Sequence, residues 1–577
     1  MNHPITLPER ATRLINHYYA RLSTRLRPAT GFTYQPEPRS IGLSTCGQQL
    51  LAGNFLFAGH LIEAPDAMIW DLPAPSRSFA EELHGFSWLD DLAAVGDREA
   101  ARTAQAWTFE WISRYGRGRG LGWSPDLTGR RLIRWINHSI FLLNGQPSEA
   151  SKGFFRSLGQ QTIFLARRWR GTRPGLPRFE ALCGLIYAGL ALMGMERHVE
   201  QAMSALAREC ERQIDPQGGI PTRNPEELLE VLTYLIWAAS ALSGSGRMAP
   251  AEHLAAIERI APTLRALRHG DGGLARFHGG DAGLPGRLDH ALAASGVRGR
   301  IATGLPMGYA RLHGGRTTVI ADAAPPPKGR TSLNAHASTL AFELTSGRRP
   351  LIVNCGPGRN FGESWHRAGR ATASHSTVAI EGVSSARLGT GRREGELLGG
   401  PSQVPFRQAA GPEGSSLHAA HDGYVATHGL THARKLRLSP DGAALAGSDT
   451  LATTTDADKR RFDAAMDSAG LQGIAASLRF HLHPDVDAAM DLGGKAVSLA
   501  LRSGEIWVFR YRGRAELSLE PGVYLEKGRL KPRATKQIVL SWRLFDYASR
   551  INWSLSKAQD GPGIVRDLEA EDGMTIS

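Results

Sequence analysis

The chain is poor in cysteine, has no long apolar run and carries none of the common nucleotide-binding fingerprints. Its 577 residues include four cysteines, Cys46, Cys183, Cys210 and Cys355, and no pair has metal-ligand spacing. A disulfide framework and a cysteine zinc module are therefore not expected. Cys183 and Cys210 fall in apolar helical patterns and read as buried thiols. The most apolar stretches, "LCGLIYAGLALMGM" and "LLEVLTYLIWAASAL", are shorter than the roughly 20 residues of a membrane span, so they read as core helices and no transmembrane segment is expected. The N-terminal stretch "MNHPITLPERATRLINHYYARLSTRLRP" has no apolar run behind its charges. No signal peptide is read there, and the sequence by itself points to the cytoplasm. The periodic Leu, Ile, Tyr and Arg of that stretch predict a short basic amphipathic helix, either a docking helix or one that touches a membrane surface. No P-loop, dinucleotide fingerprint or zinc-finger spacing occurs.

Positive charge is what the chain has in excess: 68 Lys and Arg against 55 Asp and Glu, a net +13. That balance fits an anionic partner such as a nucleic acid, a membrane surface or an acidic polysaccharide. No aromatic–basic module accompanies the charge, so nucleic acid is not expected. Residues 1–80 mix a helix with short apolar runs such as "FLFAGHLI" and read as a lead-in segment. Over 81–300, stretches such as "EAARTAQAWTFEWISRYG" and "PEELLEVLTYLIWAASALS" repeat apolar residues at spacings of three and four. Gly, Pro or Asp separates them. Eight or so antiparallel helices predict an α/α toroid or solenoid. Trp107, Trp111, Trp123, Trp135 and Trp169 recur on these helices and read mostly as core.

From 301 to 555 the period changes to two. "GYARLHGGRTTVIAD", "HARKLRLSPDGAALAGSD" and "AVSLALRSGEIWVFRYRG" alternate across hairpin-type turns, which predicts an antiparallel β-sandwich. A flexible tail is expected over 556–577. The overall class is thus multidomain α and β, an incomplete helical toroid followed by a sandwich.

The opening strands of the sandwich carry "NAHAS", "FEL", "GRRPLIVNCG" and "ASHSTV". Helices followed by strands with these motifs resemble the heparinase II/III-like proteins, lyases of heparin, alginate and related acidic glycans among them. The resemblance runs from about 85 to 545 and is most specific over 305–390. "HDGY" (421–424) and "RFHLHP" (479–484) resemble an alphaproteobacterial subgroup. The implied reaction is β-elimination in a cleft between toroid and sandwich. A cation or amide neutralises a uronate carboxylate, a base removes the neighbouring proton, and an acid protonates the leaving oxygen.

Carried onto this chain, the resemblance implies a zinc site at His336 and His375, which read alternatively as a hydrogen-bonded polar cluster. Its third ligand, a carboxylate in the family, is replaced by Asn354, a poorer ligand. Asn334 stands where a substrate-facing histidine is frequent; it can donate to a carboxylate but cannot act as a base. In "QGGIPTRNPEELLEV" (217–231), Gly218, Gly219, Arg223 and Pro225 match the family pattern. Ile220 replaces a histidine, and Glu227 and Leu228 replace the Tyr-His pair. Arg223, Glu227, Asn334 and Tyr424 are accordingly the candidate catalytic residues. Arg223 and Asn224 read alternatively as loop and N-cap residues, and Tyr424 as a core tyrosine. Two functions follow: a lyase of an acidic, uronate-containing glycan, or a catalytically inactive glycan-binding or envelope-biogenesis protein on the same scaffold. The family implies a periplasmic or envelope setting.

Overall fold

The computed structural model describes residues 7–558 apart from 27, 28, 66, 300, 381 and 471. Long helices alternate through the first half: Arg98–Tyr115, Pro125–Asn137, Ser148–Arg168, Leu176–Ala191, Val199–Gln213, Pro225–Gly244 and Ala251–Ala266. Their starts follow local chemistry. Asp97 accepts a hydrogen bond from the Ala100 N–H, and Asn224 accepts from the N–H groups of Glu226 and Glu227 behind Pro225 at the first helical position. The segment "TGRRLIRWINHSIFLLNG", of one helix's length in the sequence, breaks at His138 into two helices, Pro125–Asn137 and Ser139–Leu143.

Trp107, Trp111, Trp123, Trp135 and Trp169 are all buried. Trp111, Trp123 and Trp135 pack with Phe86, Phe154 and Phe164 at centroid separations of 5.2–6.1 Å. The first 80 residues join this core, contributing Ala20, Phe55 and Trp70. Among the described residues no helix is long and apolar enough to cross a membrane.

Two eight-stranded antiparallel sheets form the second half. One runs edge to edge through Phe406–Gly411, Gly414–Tyr424, Leu430–Leu438, Ala444–Ala452, Ala548–Lys557, Ile506–Arg512, Ala496–Ala500 and Asp487–Asp491. The other runs from Glu516–Tyr524 through Arg533–Leu544, Ile474–Leu482, Arg349–Val353, Phe342–Ser346 and Thr317–Asp322 to Tyr309–Gly314, with Val378–Ile380 paired beside Ile474–Leu482. Alternating burial along Leu430–Leu438 puts Leu430, Leu436 and Leu438 into the space between the sheets and Lys435 and Arg437 outside it. The "SPDG" and "RSGE" turns join the strands the sequence pattern pairs. A helix, Asp456–Ser468, interrupts the strands; Thr455 and Asp458 form its capping box.

The last strand corrects the expected tail. Ser556 and Lys557 lie within Ala548–Lys557, where the Lys557 N–H donates to the Ala443 carbonyl; 559–577 are outside the described residues. Met307, Tyr309, Ile320 and Ala341 of the sandwich half belong to the helical core, so the two halves share a packed junction.

Candidate functional site

At that junction Arg223 sits in the loop before the Pro225–Gly244 helix, with φ +52°. Its Nε donates to the Met307 carbonyl at 3.0 Å, and Nη1 to the carbonyls of Ala324 and Pro325 at 3.2 and 2.8 Å. Nη2 donates to the Gly308 carbonyl at 3.0 Å and to Asp322 Oδ1 at 2.6 Å. A guanidinium has five N–H donors, and all five are committed to the sandwich. Tyr309 packs its ring under the same guanidinium and donates its hydroxyl to the Arg223 carbonyl at 2.5 Å. Gly308 lacks a side chain for a reason: a Cβ there would stand 2.7 Å from Arg223 Nη2. Arg223 thus clasps the two halves together, and no donor is left for a substrate carboxylate.

The expected metal residues do come together. His336 Nδ1 lies 3.0 Å from His375 Nε2, and both rings are buried. His375 Nδ1 contacts the Ala371 carbonyl at 2.8 Å, so its proton sits there and Nε2 accepts from His336. Burial lowers the pKa of both rings, His375 to about 4, and each sees a further histidine, His278. Asn354 does not complete a metal set. Its Oδ1 accepts from the Ser376 N–H at 3.0 Å and its Nδ2 donates to Glu343 Oε1 at 3.2 Å. Among the described residues no three His, Cys, Asp or Glu side chains form a group able to hold a metal ion. The residues present do not fit the zinc expected at His336, His375 and Asn354, because the amide is turned into the hydrogen-bond network and no carboxylate replaces it.

The remaining candidates separate. Tyr424 is fully buried and donates its hydroxyl to the Val378 carbonyl at 2.9 Å; burial raises its pKa. It occupies the core between the sheets, its phenol bonded internally. Asn334 is exposed beside the Gly279–Gly280 turn, whose other flank is the capping side chain of Asn224. Glu227 is near that same helix start, and burial raises its pKa. Its neighbour Glu226 accepts from the Asp281 N–H at 2.9 Å and pairs with Lys527.

A second charged group lies inside the helical half, and the sequence reading did not find it. Arg130 pairs with Glu180 at 2.7 Å, and Arg134 pairs with Asp90 at 2.8 Å. Tyr234 lies near Arg134, Arg130, Glu180 and Glu230. Burial pushes the Glu180 carboxyl up to about 7 even against Arg130. A carboxyl that titrates near neutrality beside a phenol and an arginine is an arrangement suited to proton transfer. The available signal was "RRLIRW", where Arg130 and Arg134 share one face of a helix. Glu180, one charge in an otherwise apolar run, was the other clue.

Comparison with known proteins gives a family model, a relative and two similar solved structures. A family model described as heparinase II/III-like, C-terminal, matches residues 297–554. FtsZ-localized protein C of Caulobacter vibrioides is 31% identical over 557 residues, 93% of this chain and 92% of that one. Heparinase III has a crystal structure that superposes with a TM-score of 0.67 at 12% identity, covering 95% of this chain and 90% of that one. A mutant of the heparan sulfate lyase HepC of Pedobacter heparinus gives 0.58 at 15% identity, covering 96% and 89%. At these identities the two structures speak for the fold alone.

Proposed function

The chain belongs to the heparinase II/III-like family, and from that premise we propose that it is a binding member of the family that associates with FtsZ, not a glycan lyase working through the residues named from the sequence. One observation carries this reading: Arg223, Tyr424 and the histidine pair, among the groups expected for elimination or metal binding, are committed elsewhere. Arg223 has all five donors on the sandwich, Tyr424 is bonded in the core, and His336 and His375 bond to each other without a carboxylate. The relative whose name records FtsZ localisation matches almost end to end, which supports carrying the association to this chain. The test is co-sedimentation of the purified protein with FtsZ filaments, run beside a lyase screen on acidic polysaccharides read by the ultraviolet absorbance of the unsaturated uronate. Co-sedimentation without new absorbance supports the proposal. Absorbance without co-sedimentation overturns it.

A second reading has its own observation, the Arg130–Glu180–Tyr234 group. In that reading the cleft holds a uronate-containing glycan, Arg130 neutralises its carboxylate, and Glu180 or Tyr234 moves the proton. Activity in the screen that is lost in Glu180→Gln and Tyr234→Phe, with an unchanged melting temperature, would establish it.

A further inference from the structure

The outward face of the sheet that runs from Phe406–Gly411 to Asp487–Asp491 carries an ordered array of side chains. Residues that face out on neighbouring strands form continuous rows. One row is Arg407, His418, Lys435, Ser448, Asn552 and Arg512, each paired with the next across six strands. The adjacent row runs Ala409, Ser416, Arg437, Ala446, Ser554 and Arg510. The two central strands of these rows offer only small or short polar side chains: Ala446, Ser448, Asn552 and Ser554. They are walled by Lys435 and Arg437 on one side and by Arg510 and Arg512 on the other, all four exposed. The floor of small residues leaves a trough, and a concavity of about 610 Å³ opens at its Lys435–Arg437 side.

The charges of the trough have little to neutralise them. Arg437 reaches Glu413 at 3.2 Å, an exposed pair of small worth. Arg510 has Asp491 in its neighbourhood. Lys435, Arg407 and Arg512 have no carboxylate partner among the described residues, and Lys435 and Arg407 both act on His418. Part of the chain's basic excess is thus expressed on this face.

Spacing selects among anions. Side chains on one side of a strand recur about every 6.7 Å, and strands lie about 4.8 Å apart. The paired cations of each wall, Lys435 with Arg437 and Arg510 with Arg512, are therefore about 6.7 Å apart along the strand, and the walls stand about 14 Å apart. An extended peptide laid along the trough sends alternate side chains to opposite walls with that same repeat. Nucleic-acid bases and sugar rings favour aromatic platforms, and these rows hold no Phe, Tyr or Trp. We propose that this face is a docking site for an extended acidic peptide with Asp or Glu at successive positions, supplied by a partner protein. The site goes beyond the FtsZ association proposed above and does not depend on what the cleft binds.

The experiment is fluorescence anisotropy of the whole protein with a labelled alternating Glu–Asp peptide of about ten residues, a length comparable to the strands beneath it. Heparin fragments and single-stranded DNA of equal charge serve as competitors. Saturable binding to the peptide, displaced poorly by the competitors and weakened at least about tenfold by Lys435→Glu with Arg512→Glu, is the expected result. Lys435→Gln with Arg512→Gln should weaken it less, and Arg102→Glu, exposed on the helical half, should leave it unchanged. Outward-facing substitutions leave the core intact, so an unchanged melting temperature accompanies the loss. Absence of binding at low ionic strength overturns the proposal, as does binding unaffected by the trough substitutions. Equal affinity for heparin or DNA overturns the peptide assignment and leaves a general polyanion surface.

Discussion

Two buried aspartates organise the second half of the molecule, and they are satisfied to different degrees. Asp449, between the sheets, accepts from Arg434 Nε, pairs with His432 Nε2 and accepts from Trp553 Nε1, each at 2.8 Å. Arg434 then reaches across to the carbonyls of Leu340 and Ser376, tying the two sheets together. Asp322, at the junction with the helices, accepts from Arg223 at 2.6 Å and from Ser338 at 2.7 Å. Its histidine is slack: His278 Nε2 stands 3.5 Å away and has no hydrogen-bond partner. Burial raises the pKa of both carboxyls, but the adjacent arginine and histidine more than offset it, so both are held below the usual carboxylate range. Inside the sandwich Asp449 has three partners at 2.8 Å, although Arg434 Nη2 is left without one. At the junction Asp322 is held mainly by one arginine.

The largest expected effect comes from breaking the Asp449 centre. Asp449→Asn leaves Arg434 buried without its charge partner and should cost about 3–5 kcal/mol, the usual penalty for breaking a buried pair. Urea unfolding followed by circular dichroism measures it. A loss under about 1 kcal/mol would mean that the carbonyl contacts of Arg434 suffice. Asp322→Asn should cost less, about 2–3 kcal/mol, because four Arg223 N–H groups keep their carbonyl acceptors. Since Arg223 joins the halves, this variant should also split unfolding into two transitions. Equal costs for both variants would erase the difference between the two centres.

The contrast also explains what could be read from the sequence. Periodicity carried the architecture: "HARKLRLSPDGAALAGSD" is a hairpin whose burial alternates with the pattern, and "PEELLEVLTYLIWAASALS" is a helix buried on every side from Val231 to Ala238. The meeting of His336 and His375 was legible because each lies at a strand mouth in a recurrent motif. Arg223 was legible as a special residue, but its task was not. Its carbonyl acceptors lie 84 to 102 residues away in the chain, and no local pattern encodes acceptors so distant. Glu180 and Arg130 escaped for the same reason. Their partnership is a helix-to-helix contact between residues 50 apart, and neither segment shows its partner.

A histidine with no carboxylate at all extends the comparison. His84 accepts from the Trp111 indole N–H through Nδ1 at 3.0 Å, with Arg131 nearby. Burial first, and Arg131 second, lower its pKa to about 3. An unfolded histidine titrates near 6.5, so as pH falls below about 6.5 the unfolded chain binds the proton first. The stability contributed by the neutral ring is present above that pH and is lost as pH falls toward about 3. Near pH 5 the loss should be about 2 kcal/mol. Other buried histidines add to the total, so the clean measurement is a difference: His84→Gln, which keeps an acceptor for Trp111, should flatten the pH dependence of the unfolding midpoint between about 7 and 5. An unchanged slope would show that the ring is not held neutral.

The smallest expected effect concerns the junction histidines. Zinc bound to the folded state alone would raise the melting temperature by mass action, by about 2.7 kcal/mol of stability at a hundredfold excess over its dissociation constant. With Asn354 bonded to Ser376 and Glu343, His336 and His375 offer two neutral nitrogens and no anionic third ligand. Neither added zinc nor a chelator should then shift the melting temperature, whereas Asn354→Asp, placing a carboxylate at the family position, should confer a zinc-dependent rise. That variant also sets a second carboxylate against Glu343, so its metal-free form should be less stable than the parent. A zinc-dependent rise in the unmodified protein would mean that a third ligand reaches the pair, and the slack ring of His278 is the group whose substitution would then abolish it.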